Sequence, residues 1–307
     1  MNLPLDKTKA AFYGQFVDSA YTMFKRDRSN LEPEPQPGDI PAPFELVAWI
    51  KMSDFAFLNG EIPKFYGLIA RDTTQKHSFI LAIRGTEGWV EWLDDAMVHL
   101  IPFRQVPDAG RVAFGFDKIY DTLQVKHRPK PGAEAETVPP SPLTGSFAEQ
   151  VEQLADRLED APTQQAIHAD PSKRPCRSFV VTGHSLGAAL STLFVIENWS
   201  KKKFDITLCC TFASPHVGNT ELVQVFDQLP LSSWRIANNQ DIVTKIPFKV
   251  PLLFDYEHVQ TLYEFSSKGV VKWDPVCWHD MKTYLHWLDP SVAIDPACAP
   301  PSLSAGL

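Results

Sequence analysis

Apolar positions follow a different rhythm in each part of this chain. Near the N-terminus Ala11, Phe12, Phe16 and Ala20 fall near one face of a helix. This helix precedes a proline-rich lead-in, LEPEPQPGDIPAP (31–43), which must run extended or looped. KFYGLIARD (64–72) and HSFILAIRG (77–85) then read as two strands joined by a short polar turn. A second polar, proline-rich stretch, 126–146, is expected as a surface loop. Beyond it Phe147, Val151, Leu154 and Leu158 recur at steps of 4, 3 and 4 residues, which predicts an amphipathic helix over 147–160.

From residue 177 the rhythm alternates. RSFVVTGH (177–184) is a short, continuous apolar run, the pattern of a strand covered on both faces. A small-residue helix, SLGAALSTLFVIENWSKKK, follows directly. ITLCCTFASP, NTELVQVFDQL and SWRIANN continue as strand, helix, strand. Such alternation predicts an α/β fold, with a mostly parallel central sheet and helices on both faces. No repeat and no second core are visible, so residues 1–307 are expected to form a single domain.

Composition narrows the functional classes. The formal net charge of -8 gives no electrostatic reason to bind nucleic acid, whose affinity rests on neutralising phosphates. The 5 cysteines are odd in number and irregularly spaced, with no Cys/His metal grid, and no metal or organic cofactor is expected where chemistry runs on side chains and backbone donors alone. A disulfide such as Cys277–Cys298 is possible, but spacing does not indicate it. The most apolar window, 179–196, is interrupted by Thr182, Gly183, His184 and Gly187, unlike a transmembrane span. The N-terminus has no continuous apolar core of a signal peptide. As written, the chain is expected in the cytoplasm; a leader already removed would make it secreted.

Gly183-His184-Ser185-Leu186-Gly187 sits where that strand meets that helix. The G-x-S-x-G pattern is weak alone, but strand–turn–helix is the context that makes its serine an exposed nucleophile. A serine hydroxyl needs an adjacent base, itself oriented by an acid. Asp241 is the first carboxylate past the strand SWRIANN. Among the downstream histidines, His258 lies in a strand-like run and His286 inside a helix. His279 stands just before that helix, whose apolar stripe is Met281, Tyr284, Leu285 and Leu288. An imidazole reaching over strand ends fits this last position best. Around the developing oxyanion, the N–H of Leu186, next after the serine, is one expected donor.

AIRGTEGWVEWLDD (82–95), TGHSLGAAL (182–190), TFASPHVGN (211–219), NNQDIVTKIP (238–247), DYEHV (255–259) and HDMKTYL (279–285) lie in order along the chain. Together they resemble the class 3 lipase family, the fungal-type triacylglycerol lipases, over most of the chain. The resemblance implies the α/β-hydrolase fold and hydrolysis of lipid carboxylic esters. It implies Ser185 as nucleophile, Asp241 as acid, His279 as base and His258 as a structural histidine. Thr86, in Arg84-Gly85-Thr86, becomes the second oxyanion donor, its hydroxyl fixing the loop. Arg84 becomes structural, paired with Asp94 or Asp95. Residues 87–103, with Trp89, Trp92, Leu93 and Met97, fall where the family carries its lid, a short amphipathic helix that opens at lipid surfaces.

The chain departs from the family at Val112-Ala113-Phe114-Gly115-Phe116, where Val-His-x-Gly-Phe is common, and at His216, where Arg is common. The expected partner is a lipid ester at an oil–water or membrane interface. The same machinery serves an acylglycerol lipase, a phospholipase A1, a feruloyl-type esterase or an acyltransferase, which differ in pocket shape. A catalytically silent lipase-like binding module is the reading from another class.

Overall fold

The computed structural model describes residues 3–56, 60–86, 99–129, 141–248, 255–259 and 261–300. Eight helices pack around the sheets: α1 (Lys7–Arg26), α2 (Phe114–Tyr120), α3 (Phe147–Arg157), α4 (Ala161–Ala169), α5 (Leu186–Lys201), α6 (Thr220–Asp227), α7 (Pro275–His279) and α8 (Met281–Leu288), among the described residues. The strands are β1 (Phe44–Ala56), β2 (Gly60–Asp72), β3 (Ser78–Ile83), β4 (Leu100–Pro102), β5 (Arg111–Ala113), β6 (Gln124–His127), β7 (Ser178–His184), β8 (Asp205–Phe212), β9 (Gly218–Asn219), β10 (Ser232–Asn238), β11 (Tyr256–Glu257) and β12 (Leu262–Phe265).

The main sheet has the order β12-β10-β8-β7-β3-β2-β1-β6. β3, β7, β8, β10 and β12 run parallel, whereas β2, β1 and β6 extend the sheet antiparallel. A small antiparallel sheet, β11-β9-β5-β4, stands apart.

Side-chain alternation in the central strands builds two cores. Phe79, Leu81 and Ile83 face a layer containing Val151, Leu190 and Phe194, while Ile80 and Ala82 face Phe16, Ala20 and Leu285. Cys209 and Cys210 divide the same way, one into each core, and both are fully buried. With water excluded from both faces, the central strands read as apolar runs rather than alternating ones. α5 is buried from Leu186 through Asn198, as a helix between sheet and outer helices must be. α1 closes the opposite face. Its N-cap Asp6 accepts a hydrogen bond from the Lys9 N–H at 3.0 Å, and its apolar stripe lies on the second core.

Two expectations need correction. The helix expected over 87–103 does not extend to its end, because residues 100–102 form β4, paired with β5. Trp89, Trp92, Leu93 and Met97 lie outside the described residues. The expected loop 126–146 begins inside β6, which pairs with β1, and 130–140 lie outside the described residues. Cys277 and Cys298 form a disulfide, although their spacing gave no indication of one. Bridging depends on the distance between Cα atoms in the fold, 5.3 Å here, and not on sequence separation. The proline-rich lead-in is tied down: the Trp49 indole donates to the Pro33 carbonyl at 2.8 Å and Lys51 pairs with Glu32.

Candidate active site

Strand register brings the candidate residues to one edge. Ile83 pairs with Gly183, His184 with Phe212, Phe212 with Ile236, and Asn238 with Phe265. Segments leaving the carboxyl ends of β3, β7 and β10 therefore emerge side by side, carrying Thr86, Ser185 and Asp241. This is the edge where open parallel sheets place their sites.

Ser185 has φ 57° and ψ -127°. A side chain in that conformation is strained by about 1–3 kcal/mol. Its N–H donates to the Phe212 carbonyl at 3.0 Å, which locks the turn to β8. The flanking glycines permit the turn. A Cβ on Gly183 would lie 2.3 Å from the Gly187 carbonyl oxygen, and one on Gly187 would lie 2.1 Å from that of Ile83. Strand and helix thus cross at backbone contact, which only glycine tolerates.

The Ser185 hydroxyl lies 2.8 Å from His279 Nε2, and His279 Nδ1 lies 2.7 Å from Asp241 Oδ2. All three residues are buried, at 2%, 5% and 1% exposure, so these bonds form in a low-dielectric setting where they are strong. The other Asp241 oxygen, Oδ1, accepts the Val243 N–H at 2.9 Å. Oδ2 also accepts the Tyr284 hydroxyl at 2.7 Å. Burial, followed by the Asp241 charge, drives the Tyr284 phenol well above its ordinary range, so it stays a donor. The imidazole-bearing segment is held by its backbone: Asn238 Nδ2 donates to the Trp278 carbonyl at 2.8 Å, and His184 Nε2–H donates to the His279 carbonyl at 2.8 Å.

That second bond ends a relay from the N-terminal helix. The Gly85 N–H donates to the Tyr21 hydroxyl at 2.7 Å, and that hydroxyl lies 2.8 Å from His184 Nδ1. Having accepted from Gly85, the phenol donates to Nδ1, which leaves the His184 proton on Nε2 for His279. Burial, then the neighbouring His279, pushes the His184 pKa well below its ordinary value, so the ring stays neutral in this role.

The loop after β3 is clamped by Arg84. Its guanidinium donates to the Phe65 carbonyl and, through Nη1 at 2.7 Å, to the Gly85 carbonyl, and it stacks on Phe24 and Tyr66. Carbonyl and N–H of a trans peptide point in opposite directions. The clamp on the Gly85 oxygen therefore turns the Thr86 N–H away from the arginine. Asp94 and Asp95, expected to pair with Arg84, lie outside the described residues. The Thr86 hydroxyl, expected to fix the loop, is buried with no hydrogen-bond partner among the described residues. Leu186 opens α5, where the first N–H groups have no intrahelical acceptor.

The other histidines lie elsewhere. His258 Nε2 lies 2.7 Å from the Thr244 carbonyl, its ring stacks on His216, and it braces the loop after Asp241. Burial, with Arg235 and His216 nearby, lowers its pKa to about 2. His286 Nδ1 lies 2.8 Å from the Val292 carbonyl. Tyr21 and Tyr284 were missed by the sequence reading. No group of His, Cys, Asp and Glu among the described residues could hold a metal ion, and no described helix is long and apolar enough to cross a membrane.

A parallel sheet carrying a serine on a strand-to-helix turn at its carboxyl edge, between helical layers, is the α/β-hydrolase fold. Solved structures agree. A triacylglycerol lipase, titled for a catalytic centre formed by a serine protease triad, superposes with a TM-score of 0.53 at 16% identity, covering 84% of this chain and 79% of that one. Rhizomucor miehei lipase in a propeptide complex gives 0.52 at 16% identity, over 85% and 68%. The sequence pattern of the family Lipase (class 3) matches residues 80–250, and the chain belongs to the class 3 lipase family. A phospholipase A1-II 1 of rice, Oryza sativa subsp. indica, is 26% identical over 70% of this chain and 51% of its own length. A secreted mono- and diacylglycerol lipase of Fusarium solani is 32% identical over 38% of this chain and 32% of its own. The chain spans about half the length of the rice relative.

Proposed function

We propose that this chain hydrolyses carboxylic esters of lipids through an acyl-enzyme on Ser185. One observation carries the reading: Ser185, His279 and Asp241 form an unbroken hydrogen-bonded line at the carboxyl edge of the sheet. His279 Nε2 takes the serine proton as Oγ attacks the ester carbonyl. The tetrahedral oxyanion faces the N–H groups of Thr86 and Leu186, each such donor lowering the barrier by about 3 kcal/mol. The Thr86 hydroxyl, without a hydrogen-bond partner among the described residues, adds a third donor. The intermediate collapses, the alcohol leaves with the proton from His279, and water, activated by the same imidazole, releases the acid. Asp241 holds the His279 ring and stabilises its charge while the proton is aboard.

The substrate reading has two branches. The Fusarium relative supports an acylglycerol, whereas the rice relative supports a phospholipid. Residues 87–103, at the family's lid position, are proposed to open at a lipid surface; a jump in rate across the solubility limit of a short-chain ester is the expected signature. The deciding experiment is a fluorophosphonate label with a Ser185→Ala control. Ser185 should take the label, and the variant should lose activity by about 10⁴-fold or more. A folded protein that resists the label and hydrolyses no ester would instead be a silent binding module.

A further inference from the structure

A cavity of about 230 Å³ borders the candidate reaction centre. Thr86, His184 and His279 are among its lining residues. Its walls are α1 and the junction of α7 with α8, and they are charged. Asp18 and Lys25 project from α1 with Tyr21 between them, at spacings of three and four residues that share one helical face. Asp280 and Lys282 project from the opposite wall.

Lys25 and Lys282 act on both carboxylates through space, yet none of these charges is closed into a direct ion pair among the described residues. Among the described residues, the Asp18 carboxylate and the Lys282 ammonium make no hydrogen bond or ion pair, and the Lys25 ammonium lies 6.0 Å from the Tyr21 ring centre. Asp280 caps α8 through one oxygen, accepting the Lys282 N–H at 2.9 Å. Burial raises the pKa of both carboxyls, which says that each lacks a close cation sufficient to offset lost hydration. A triacylglycerol brings no charge to such a wall. A phosphodiester linked to an ammonium brings one of each sign, and in a glycerophospholipid it hangs from the same glycerol that carries the scissile ester.

We infer that this cavity is a headgroup site for a zwitterionic glycerophospholipid, the phosphodiester on Lys25 and Lys282 and the ammonium on Asp18 and Asp280. The inference rests on the ester-hydrolase reading above and chooses between its branches. Water cleaves the acyl C–O bond; the acyl carbon gains the hydroxyl, the glycerol oxygen gains the proton from His279, and the lysophospholipid leaves with its headgroup intact.

The test compares two substrates in one nonionic micelle, dioleoyl phosphatidylcholine and dioleoylglycerol, which share acyl chains and differ in the headgroup. The readout is the ratio of their hydrolysis rates for each enzyme sample. In the Lys25→Glu/Lys282→Glu variant this ratio should fall about tenfold or more, the effect of replacing attraction by repulsion at a partly buried charge site. Asp18→Asn should lower the preference for phosphatidylcholine over phosphatidylglycerol, which lacks the ammonium. Ratios that stay at the wild-type value in both variants overturn the headgroup site, as does a wild-type enzyme that cleaves dioleoylglycerol and spares the phospholipid. A wild-type enzyme that cleaves neither lipid nor a p-nitrophenyl ester overturns the hydrolase reading itself, a separable outcome.

Discussion

The Tyr284 hydroxyl sits 2.7 Å from Asp241 Oδ2, the same oxygen that His279 Nδ1 reaches at 2.7 Å. The carboxylate is thus gripped from α8 as well as from its own loop, and its orientation toward the imidazole depends on a phenol. Removing that phenol in Tyr284→Phe leaves a buried carboxylate oxygen with one donor fewer. A lost hydrogen bond to a charged group is worth about 1.5–3 kcal/mol, so kcat/KM should fall at least about tenfold. Steady-state kinetics on a soluble ester measure it, and an unchanged value would show that the grip is idle.

Tyr21 lies far from the triad in sequence, yet it joins the Gly85 N–H to the His184 ring. Tyr21→Phe leaves both buried groups without this partner, which should cost about 1–3 kcal/mol of stability. Activity should fall further than the folded fraction does, because the Gly85–Thr86 loop, proposed to hold the oxyanion, and the His279 carbonyl are anchored at the two ends of this relay. Denaturant titration alongside rates on folded protein separates the two effects.

The disulfide Cys277–Cys298 spans a sequence separation of 21 and anchors α7, which ends in His279. Closing a loop of that size stabilises a fold by about 3 kcal/mol in the chain-entropy account. Thermal unfolding of the wild type should therefore shift down in reductant. The Cys277→Ala/Cys298→Ala variant should unfold near the reduced midpoint with or without it. A wild-type midpoint indifferent to reductant would count against the bridge.

His258 gives stability a pH dependence of known sign. Its pKa in the fold is about 2 against an ordinary value of 6.5. Between those values the unfolded chain binds a proton that the folded chain refuses, so stability is lost as pH falls from 6.5 toward 2. The contribution is about 1.4 kcal/mol per pH unit for one proton. His258→Gln does not titrate and can still donate to the Thr244 carbonyl. Urea unfolding at pH 7 and pH 5 should show a smaller drop for the variant than for the wild type.

What could be read from sequence, and what could not, divides along a physical line. The strand, turn and helix around Ser185 follow from local rules, since two glycines and a small-residue run leave little else for that segment to do. Asp241 was readable as the first carboxylate past a strand end, and His279 by its place before a helix. Tyr284 was counted with the apolar stripe of α8, where its ring does pack. Periodicity cannot show that its hydroxyl meets a carboxylate 43 residues back. Tyr21 was hidden in the same way, because α1 docks on the sheet through its apolar face and carries the phenol there unannounced. β1, Phe44–Ala56, was not anticipated; Val47 and Ile50 enter one core, Leu46 and Trp49 the other, and its register with β2 shifts twice. The short sheet β4-β5-β9-β11 rests on strands of two or three residues, too brief for any pattern.

The relay through Tyr21 bears on how variants of this chain should be judged. The segment by which the family is recognised runs from residue 80 to 250. It includes Ser185 and Asp241 but stops short of His279 and Tyr284, and it begins well after Tyr21. A fragment trimmed to that signature would keep Ser185 but lack the imidazole proposed to take its proton. A substitution at residue 21 would be scored as remote when ranked by distance along the chain, although in space it is one hydrogen bond from the loop bearing Thr86.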